Sequence, residues 1–510
     1  MKILLPLIAA VLLTALPRLA AADQKPNILI ILVDDMGYAD IGCYGGEIKT
    51  PNIDGLAAGG AKFAEMYNTA KCYPTRASLI TGVYFQRTDR DFTKTATLGE
   101  VLRPAGYTTL WSGKHHAKFN PATRGFDRYF GMIGGAENHF KPNQDNAKGW
   151  ALDGEKPATK DSGFYSTDAY TDKAIKWLEE YKNVDKPFLL YVAYTAPHWP
   201  LQAWPEDIAK YKGVYGAGYD AIRRARYERQ IQLGLVDPKT TPLSEFEVEK
   251  KTGKKWDDLT PEEQKHQAAL MEIYAAMVDR VDQNVGRLVQ CLKDQGKLDN
   301  TLIIFMADNG GCAENPKDPD ADPNAPMGSA ESFLSYGSGW ASVSNTPLRK
   351  WKQDSFEGGI STPLVVHWPA GIKPQTTWNR DPVHLIDIMP TVVEVTGAKY
   401  PGESKQANIP PMDGVSLLPA FKGGEITRAN PLFFQFNKGS AITDGRWKLV
   451  RNSAKWELYD MVNDRSEIQN LADKNPELVQ KMDAQWLAWW KDTTGSEWAG
   501  KVSKKKDAEE

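Results

Sequence analysis

Two apolar runs end in side chains of the kind that hold cations. NILIILV (Asn27 to Val33) leads straight into Asp34 and Asp35, and TLIIFMAD (Thr301 to Asp308) delivers Asp308 and then Asn309. Three carboxylates and an amide make an all-oxygen donor set, which suits a hard divalent cation such as Ca²⁺ or Mg²⁺; zinc would call for histidine or cysteine. Taken alone, each pair reads equally well as a turn cap after a strand. A third stretch, KCYPTRASLITG (Lys71 to Gly82), sets a lone cysteine at the mouth of a short helix. Pro74 suits the first helical position and Gly82 a left-handed stop. Cys72 is then expected just outside a helix N-terminus, where free N–H groups and the helix dipole favour an anion and make a thiol more acidic. That setting invites chemistry on an anion.

Such groups need a frame that brings them together. Besides the two runs above, TTLWSG (Thr108 to Gly113), PFLLYVAYT (Pro187 to Thr195) and TPLVVHWP (Thr362 to Pro369) are short apolar runs bounded by turn residues and read as buried strands. Helical stretches alternate with them. TLGEVLRPAG opens on a capping box, Thr97 with Glu100, and TPEEQ at Thr260 opens a long amphipathic helix reaching about Asp294. This alternation predicts a mostly parallel sheet with helices on both faces, and sites in such sheets gather at the carboxyl ends of the strands. From about Asn430 the texture changes. PLFFQF, AITDGRWKLV and WELYD read as short strands, and Pro476 to about Trp490 as a helix packed on them.

The N-terminal residues carry Lys2, an apolar run from Ile3 to about Leu16, and Ala20, Ala21 and Ala22, the pattern of a cleavable secretory signal over residues 1–22. No later run supplies the roughly 18 uninterrupted apolar residues of a membrane span. A secreted or periplasmic protein is therefore expected. With 510 residues, one large domain (23–429) and a small antiparallel-sheet subdomain with a helix and charged tail (430–510) are expected. A net charge of -3 offers no basic field for nucleic acid. Cys43, Cys72, Cys291 and Cys312 have neither zinc-site spacing nor the density of a disulfide scaffold, and a Cys291–Cys312 bridge stays open. DPDADPN (Asp318 to Asn324) starts like a calcium loop, but Pro323 replaces the glycine and Ser329 the closing glutamate, so it reads as an exposed acidic loop.

CYPTR resembles the Cys-x-Pro-x-Arg signature of the type I sulfatases, and ASLITG follows it as in that family. VDDMGYADIGCYG, GYTTLWSGKHH, PATRGFDRYFG, PFLLYVAYTAPHWP, TLIIFMADNGG, PLRKWKQDSFEGGISTPLVVHWP, DGVSLLP and WELYDMVNDRSEIQNLA each resemble a sulfatase segment, in family order, from Asn27 to about Ala472. The resemblance implies an alkaline-phosphatase-like α/β domain with a small C-terminal α+β domain. It implies conversion of Cys72 to formylglycine by a formylglycine-generating or sulfatase-maturating enzyme that reads Pro74 and Arg76. Arg76 would then buttress the aldehyde, and Asp34, Asp35, Asp308 and Asn309, together with the hydrated aldehyde made from Cys72, would hold Ca²⁺, with Mg²⁺ the alternative. Lys114 and His116 would stand beside the formylglycine with His116 as base, while His198 and Lys352 would hold sulfate and protonate the leaving group. The hydrated aldehyde would attack sulfur with one hydroxyl, and loss of the proton from the other would expel sulfate. Thr75 stands where serine is commoner, His115 where many members have tryptophan, and Phe436 where many have histidine.

The expected substrate is a sulfated carbohydrate, with Trp150, Trp199, Trp204 and Trp340 placed in loops that flank the pocket and offer faces to sugar rings. Two competing readings are an aryl sulfate or phosphate/phosphonate monoester hydrolase on the same fold, and a sulfoglycan-binding protein in which Cys72 is never converted.

Overall fold

The computed structural model of the protein describes residues 25–88, 92–141, 150–153, 163–319, 321–403, 408–452 and 455–500. The expected signal segment, Asp320 of the acidic loop and the charged tail lie outside them. Among the described residues nine strands form the large sheet: β1 Asn27–Val33, β2 Ala61–Tyr67, β3 Thr108–Gly113, β4 Arg128–Met132, β5 Trp150–Leu152, β6 Phe188–Ala193, β7 Thr301–Ala307, β8 Ser361–His367 and β9 Val383–His384. Their spatial order is β5-β4-β3-β6-β1-β7-β8-β2-β9. From β4 through β7 the neighbours are parallel, whereas β8 runs antiparallel to both β7 and β2, and β5 antiparallel to β4. The sheet is thus mixed and mostly parallel.

Strand β1 shows why both faces must be covered. Its side chains alternate, so Leu29, Ile31 and Val33 enter one core while Ile28, Ile30 and Leu32 enter another. The first core is closed by helices Ser166–Glu180 and Pro261–Asp294, through residues such as Trp177, Val281 and Leu288. Helices Cys72–Thr81 and Ile388–Thr396 close the second, through Ala77, Leu79 and Met389. The expected capping box of Thr97 with Glu100 is present, and a second, Thr260 with Glu263, stands at the head of the 34-residue helix. Among the described residues no helix is long and apolar enough to cross a membrane.

The second sheet is antiparallel, with strands β10 Leu432–Phe436, β11 Gly439–Thr443, β12 Trp447–Arg451 and β13 Glu457–Asp460 in that order. Helix Pro476–Thr494 lays Trp486 and Trp489 against it. A buried charge cluster welds it to the large sheet: Lys448 Nζ lies 2.8 Å from both Glu357 and Glu467, and the Tyr67 hydroxyl donates to Glu357 at 3.2 Å. Burial pushes the Glu467 carboxyl up to about 7 even against the pull of Lys448. Lys448→Met would leave two carboxylates facing each other in the interior, so it is expected to lower stability by about 3–5 kcal/mol in denaturant unfolding. A loss under about 1 kcal/mol would show that the cluster is not what joins the sheets.

All four cysteines are free thiols, so the bridge left open between Cys291 and Cys312 is absent. Two of the tryptophans expected around a pocket are core residues instead. Trp150 lies in β5, stacked on Tyr170 at 5.0 Å, and Trp340 is fully buried with its indole N–H on the Gln267 carbonyl at 2.7 Å. Trp204 donates to Asp168 at 3.0 Å and packs on Phe140, which leaves Trp199 as the indole beside the strand ends.

Candidate active site

Strands β3, β6, β1 and β7 are consecutive in the sheet, so their carboxyl ends bring Lys114, His198, Asp34 with Asp35, and Asp308 with Asn309 to one place. Lys352 arrives from the other direction. Because β8 is antiparallel to β7, it is the segment before β8 that reaches the same edge.

The ligating atoms of Asp34, Asp35 and His198 lie within 4.8 Å of one another. Asp34 Oδ2 accepts from Lys114 Nζ and, at 3.1 Å, from Arg76; Asp35 accepts from Lys352 Nζ at 2.9 Å and from the Asn309 amide at 2.6 Å. Arg76 also bonds Asp308 Oδ2 at 2.8 Å and the Lys114 carbonyl at 3.2 Å, so it ties three strand ends together. Burial works against the Asp34 carboxylate, but Lys114, His198, Arg76 and Lys352 outweigh it and hold it well below the usual range. At Asp308 the balance falls the other way, with burial and the Asp34 charge pushing it up to about 7.

A cation fits this cluster on two observations. Asp34 Oδ1 and Asn309 Oδ1 are buried oxygens with no hydrogen-bond partner, and each such orphan costs about 1–3 kcal/mol unless something positive or protic meets it. The donors that converge are oxygens, with one imidazole at the edge, a set matched to Ca²⁺ or Mg²⁺.

Cys72 is buried, 1% exposed, and is the first residue of helix Cys72–Thr81 rather than the residue before it. Lys71, extended at φ -151°, takes the capping position. Pro74 consequently sits in the third helical position, which is tolerated because the first four N–H groups have no partner inside the helix. The expectation of a more acidic thiol is also reversed: burial pushes the Cys72 thiol up, against the pull of Lys114 and Lys352. Gly82 ends the helix at φ 72°, as expected, and Thr75 anchors its first turn by donating to the Asp308 carbonyl at 2.7 Å.

The two histidines after β3 have different surroundings. His115 is packed among Trp111, Phe119 and Tyr129, 1% exposed, and burial together with Arg76 pushes it down to about 3. His116, at φ 59°, is turned out of that core toward Tyr73, with its Nδ1 unpartnered. Burial, Lys114 and Arg76 keep it neutral, well below the ordinary histidine value. His198 has Nδ1 2.7 Å from the Trp199 carbonyl, so that nitrogen carries the proton; Nε2 lies 3.2 Å from Lys352 Nζ and 3.5 Å from Asp35. Behind it His139 spans Ser166 Oγ (2.9 Å) and the His198 carbonyl (3.1 Å), fixing that loop.

Two contributors carry no sequence signal. Glu314 accepts from Lys71 at 3.0 Å and from the Trp199 indole at 3.2 Å, and lies 3.5 Å from Lys352. Gln353 bonds Glu314 and accepts from Asn437 at 3.2 Å, which brings the β10–β11 hairpin to the rim next to Phe436. The rim thus draws its acid from Glu314; of the acidic loop beyond it, Asp318 and Asp322 are exposed.

An alkaline-phosphatase-like sheet that gathers carboxylates, lysines and a buried cysteine at its carboxyl ends defines a hydrolase of anionic monoesters. The sulfatase family model matches residues 26–398, and the model for the C-terminal part of N-sulphoglucosamine sulphohydrolase matches 351–489. The chain belongs to the sulfatase family and is a sulfuric ester hydrolase. It is 34% identical to an arylsulfatase of Klebsiella aerogenes over 441 residues, covering 78% of this chain and 92% of that one. An uncharacterized sulfatase of Schizosaccharomyces pombe is 32% identical, covering 93% and 95%. The crystal structure of Ps i-CgsB in complex with k-i-k-neocarrahexaose superposes with a TM-score of 0.67 at 27% identity, covering 93% of this chain and 95% of that one.

Proposed function

We propose that the protein is an exported sulfatase that removes sulfate from a sulfated carbohydrate, using formylglycine made from Cys72 by a maturating enzyme and one Ca²⁺ held by Asp34, Asp35, Asp308 and Asn309. The observation that carries the reading is the pair of orphaned oxygens, Asp34 Oδ1 and Asn309 Oδ1, in the pocket where Lys114 and Lys352 act on the buried Cys72. The complex of Ps i-CgsB with k-i-k-neocarrahexaose supports a saccharide substrate.

Within this reading Lys114 and Lys352 neutralise sulfate oxygens on either side, and Arg76 keeps Asp34, Asp308 and the Lys114 carbonyl in register. His116, kept neutral by its surroundings, accepts a proton beside residue 72. His198, fixed by Trp199 and His139, turns Nε2 toward the leaving oxygen. The bound cation would supply Lewis-acid polarisation of a sulfate oxygen, and the hydrated aldehyde a hydroxyl nucleophile.

A panel of defined sulfated saccharides, followed by sulfate release, tests the substrate class; turnover of aryl sulfates alone would overturn the carbohydrate assignment. The cation is tested separately by thermal unfolding. Chelated protein returned to Ca²⁺ at a hundredfold excess over the dissociation constant should gain about 2.7 kcal/mol, and Asp34→Asn should lose most of that gain. Stabilisation by zinc and none by Ca²⁺ or Mg²⁺ would refute the oxygen site.

A further inference from the structure

Glu314 is held by four groups from three separate parts of the chain. Lys71, Trp199, Lys352 and Gln353 all point donors at its carboxylate, and Gln353 is itself fixed by donating its backbone N–H to the Ala70 carbonyl at 2.7 Å. The side chain is nonetheless 23% exposed, while the Lys352 side chain behind it is sealed. It therefore fronts the solvent side of Lys352, on the same flank as His198, the side from which the proposed function has the leaving alcohol depart. Burial works against its ionisation, but Lys352 and Lys71 hold it well below the usual carboxylate range, so it stays charged at neutral pH. A fixed negative charge beside a site for negative substrates does not help bind sulfate. Its use must lie with what surrounds the sulfate.

We propose that Glu314 selects substrates by the group next to the scissile sulfate, accepting a hydroxyl or ammonium there and repelling a second anion. A neighbouring hydroxyl can take over one of the hydrogen bonds now made by the Trp199 indole or the Gln353 amide. A neighbouring carboxylate or sulfate instead meets a like charge that the pinned side chain cannot withdraw. Lys71 and Lys352 soften that repulsion, which sets the expected discrimination at about tenfold rather than the thousandfold of a bare charge pair. The assignment rests on residue 72 being the reacting centre.

Three aryl sulfates differing only at the ortho position serve as probes: phenyl sulfate, 2-hydroxyphenyl sulfate and 2-carboxyphenyl sulfate. Ratios of kcat/KM are compared between parent and variant, so differences in leaving group cancel. Glu314→Gln should raise the carboxylate substrate about tenfold and lower the hydroxyl substrate severalfold, each relative to phenyl sulfate, whatever common factor the change imposes on all three. Glu314→Asp, which keeps the charge, should keep the parent's order, and Glu314→Ala repeats the charge loss should the glutamine variant fold poorly. Ratios unchanged within about twofold, or an equal fall on all three substrates, would overturn the proposal and leave Glu314 a structural prop. A Cys72→Ala protein that still turns over the probes would refute the site itself, a separate readout from the ratios.

Discussion

Cys72→Ala is expected to fold as the parent does and to hydrolyse nothing measurable, a loss on the order of 10⁴-fold or more if residue 72 supplies the nucleophile. The fold should tolerate the change because Cys72 is the first residue of its helix, whose anchors lie elsewhere: Thr75 on the Asp308 carbonyl, and Gly82 at the stop. Ordinary thiol catalysis is disfavoured by the same geometry. A reactive cysteine needs its thiolate, and burial raises this thiol above its ordinary value, so at neutral pH little thiolate exists. A buried, unreactive thiol is reasonable as a precursor that is oxidised before the chain finishes folding. Active protein should then yield a peptide in which residue 72 has the mass of formylglycine or its hydrate. Full activity in a preparation that contains only the unmodified thiol would end this account.

What could be read from the sequence followed from signals that are local. Strands β1 and β7 are uninterrupted apolar runs after their first residue because they are buried on both faces, and their bounds, like those of β3, were legible to within a residue. The capping box at Thr97 was visible because it joins residues three apart. Strand β2 was not legible, since Lys62 and Glu65 break its apolar pattern near the edge of the large sheet, where it lies between β8 and β9. The site divides in the same way. Asp34, Asp35, Asp308, Asn309 and Lys114 follow strand ends directly, but nothing near Lys352 announces it, and only the resemblance to sulfatases drew attention there. Its arrival depends on β8 running antiparallel to β7, a property of the assembled sheet. Glu314 is more remote still, because its partners lie 243, 115 and 39 residues away in the chain. The thiol's acidity departs from the sequence expectation for a related reason. A helix N-terminus can be inferred from Pro74 and Gly82, whereas the burial that outweighs it comes from segments far away in sequence.

His198→Ala should separate substrates by their leaving group. Its Nδ1 proton is committed to the Trp199 carbonyl, so Nε2 can give a proton only from the imidazolium, and burial keeps the free ring down at about 4. The bound sulfate changes that balance. An anion placed within about 4–6 Å raises a histidine pKa, and the proton is then taken up from solvent, since Lys352, 3.2 Å from Nε2, holds its own proton too tightly to give it to an imidazole. The imidazolium would thus form when substrate is present, next to the oxygen that departs. An aryl sulfate releases a stabilised phenolate and should lose little with His198→Ala beyond sulfate binding. A sugar sulfate must release an alkoxide, and there the loss of general-acid help should reach about 10²- to 10⁴-fold. His116→Ala should behave differently: with no group to take the proton beside residue 72, release of sulfate slows whatever the leaving group was, and sulfated enzyme accumulates in intact mass spectra. Rates for both variants on nitrophenyl sulfate and on a sugar sulfate decide the matter. Equal losses on the two substrates for His198→Ala would remove it as the acid and pass that role to Lys352, whose ammonium Asp35 keeps protonated despite burial.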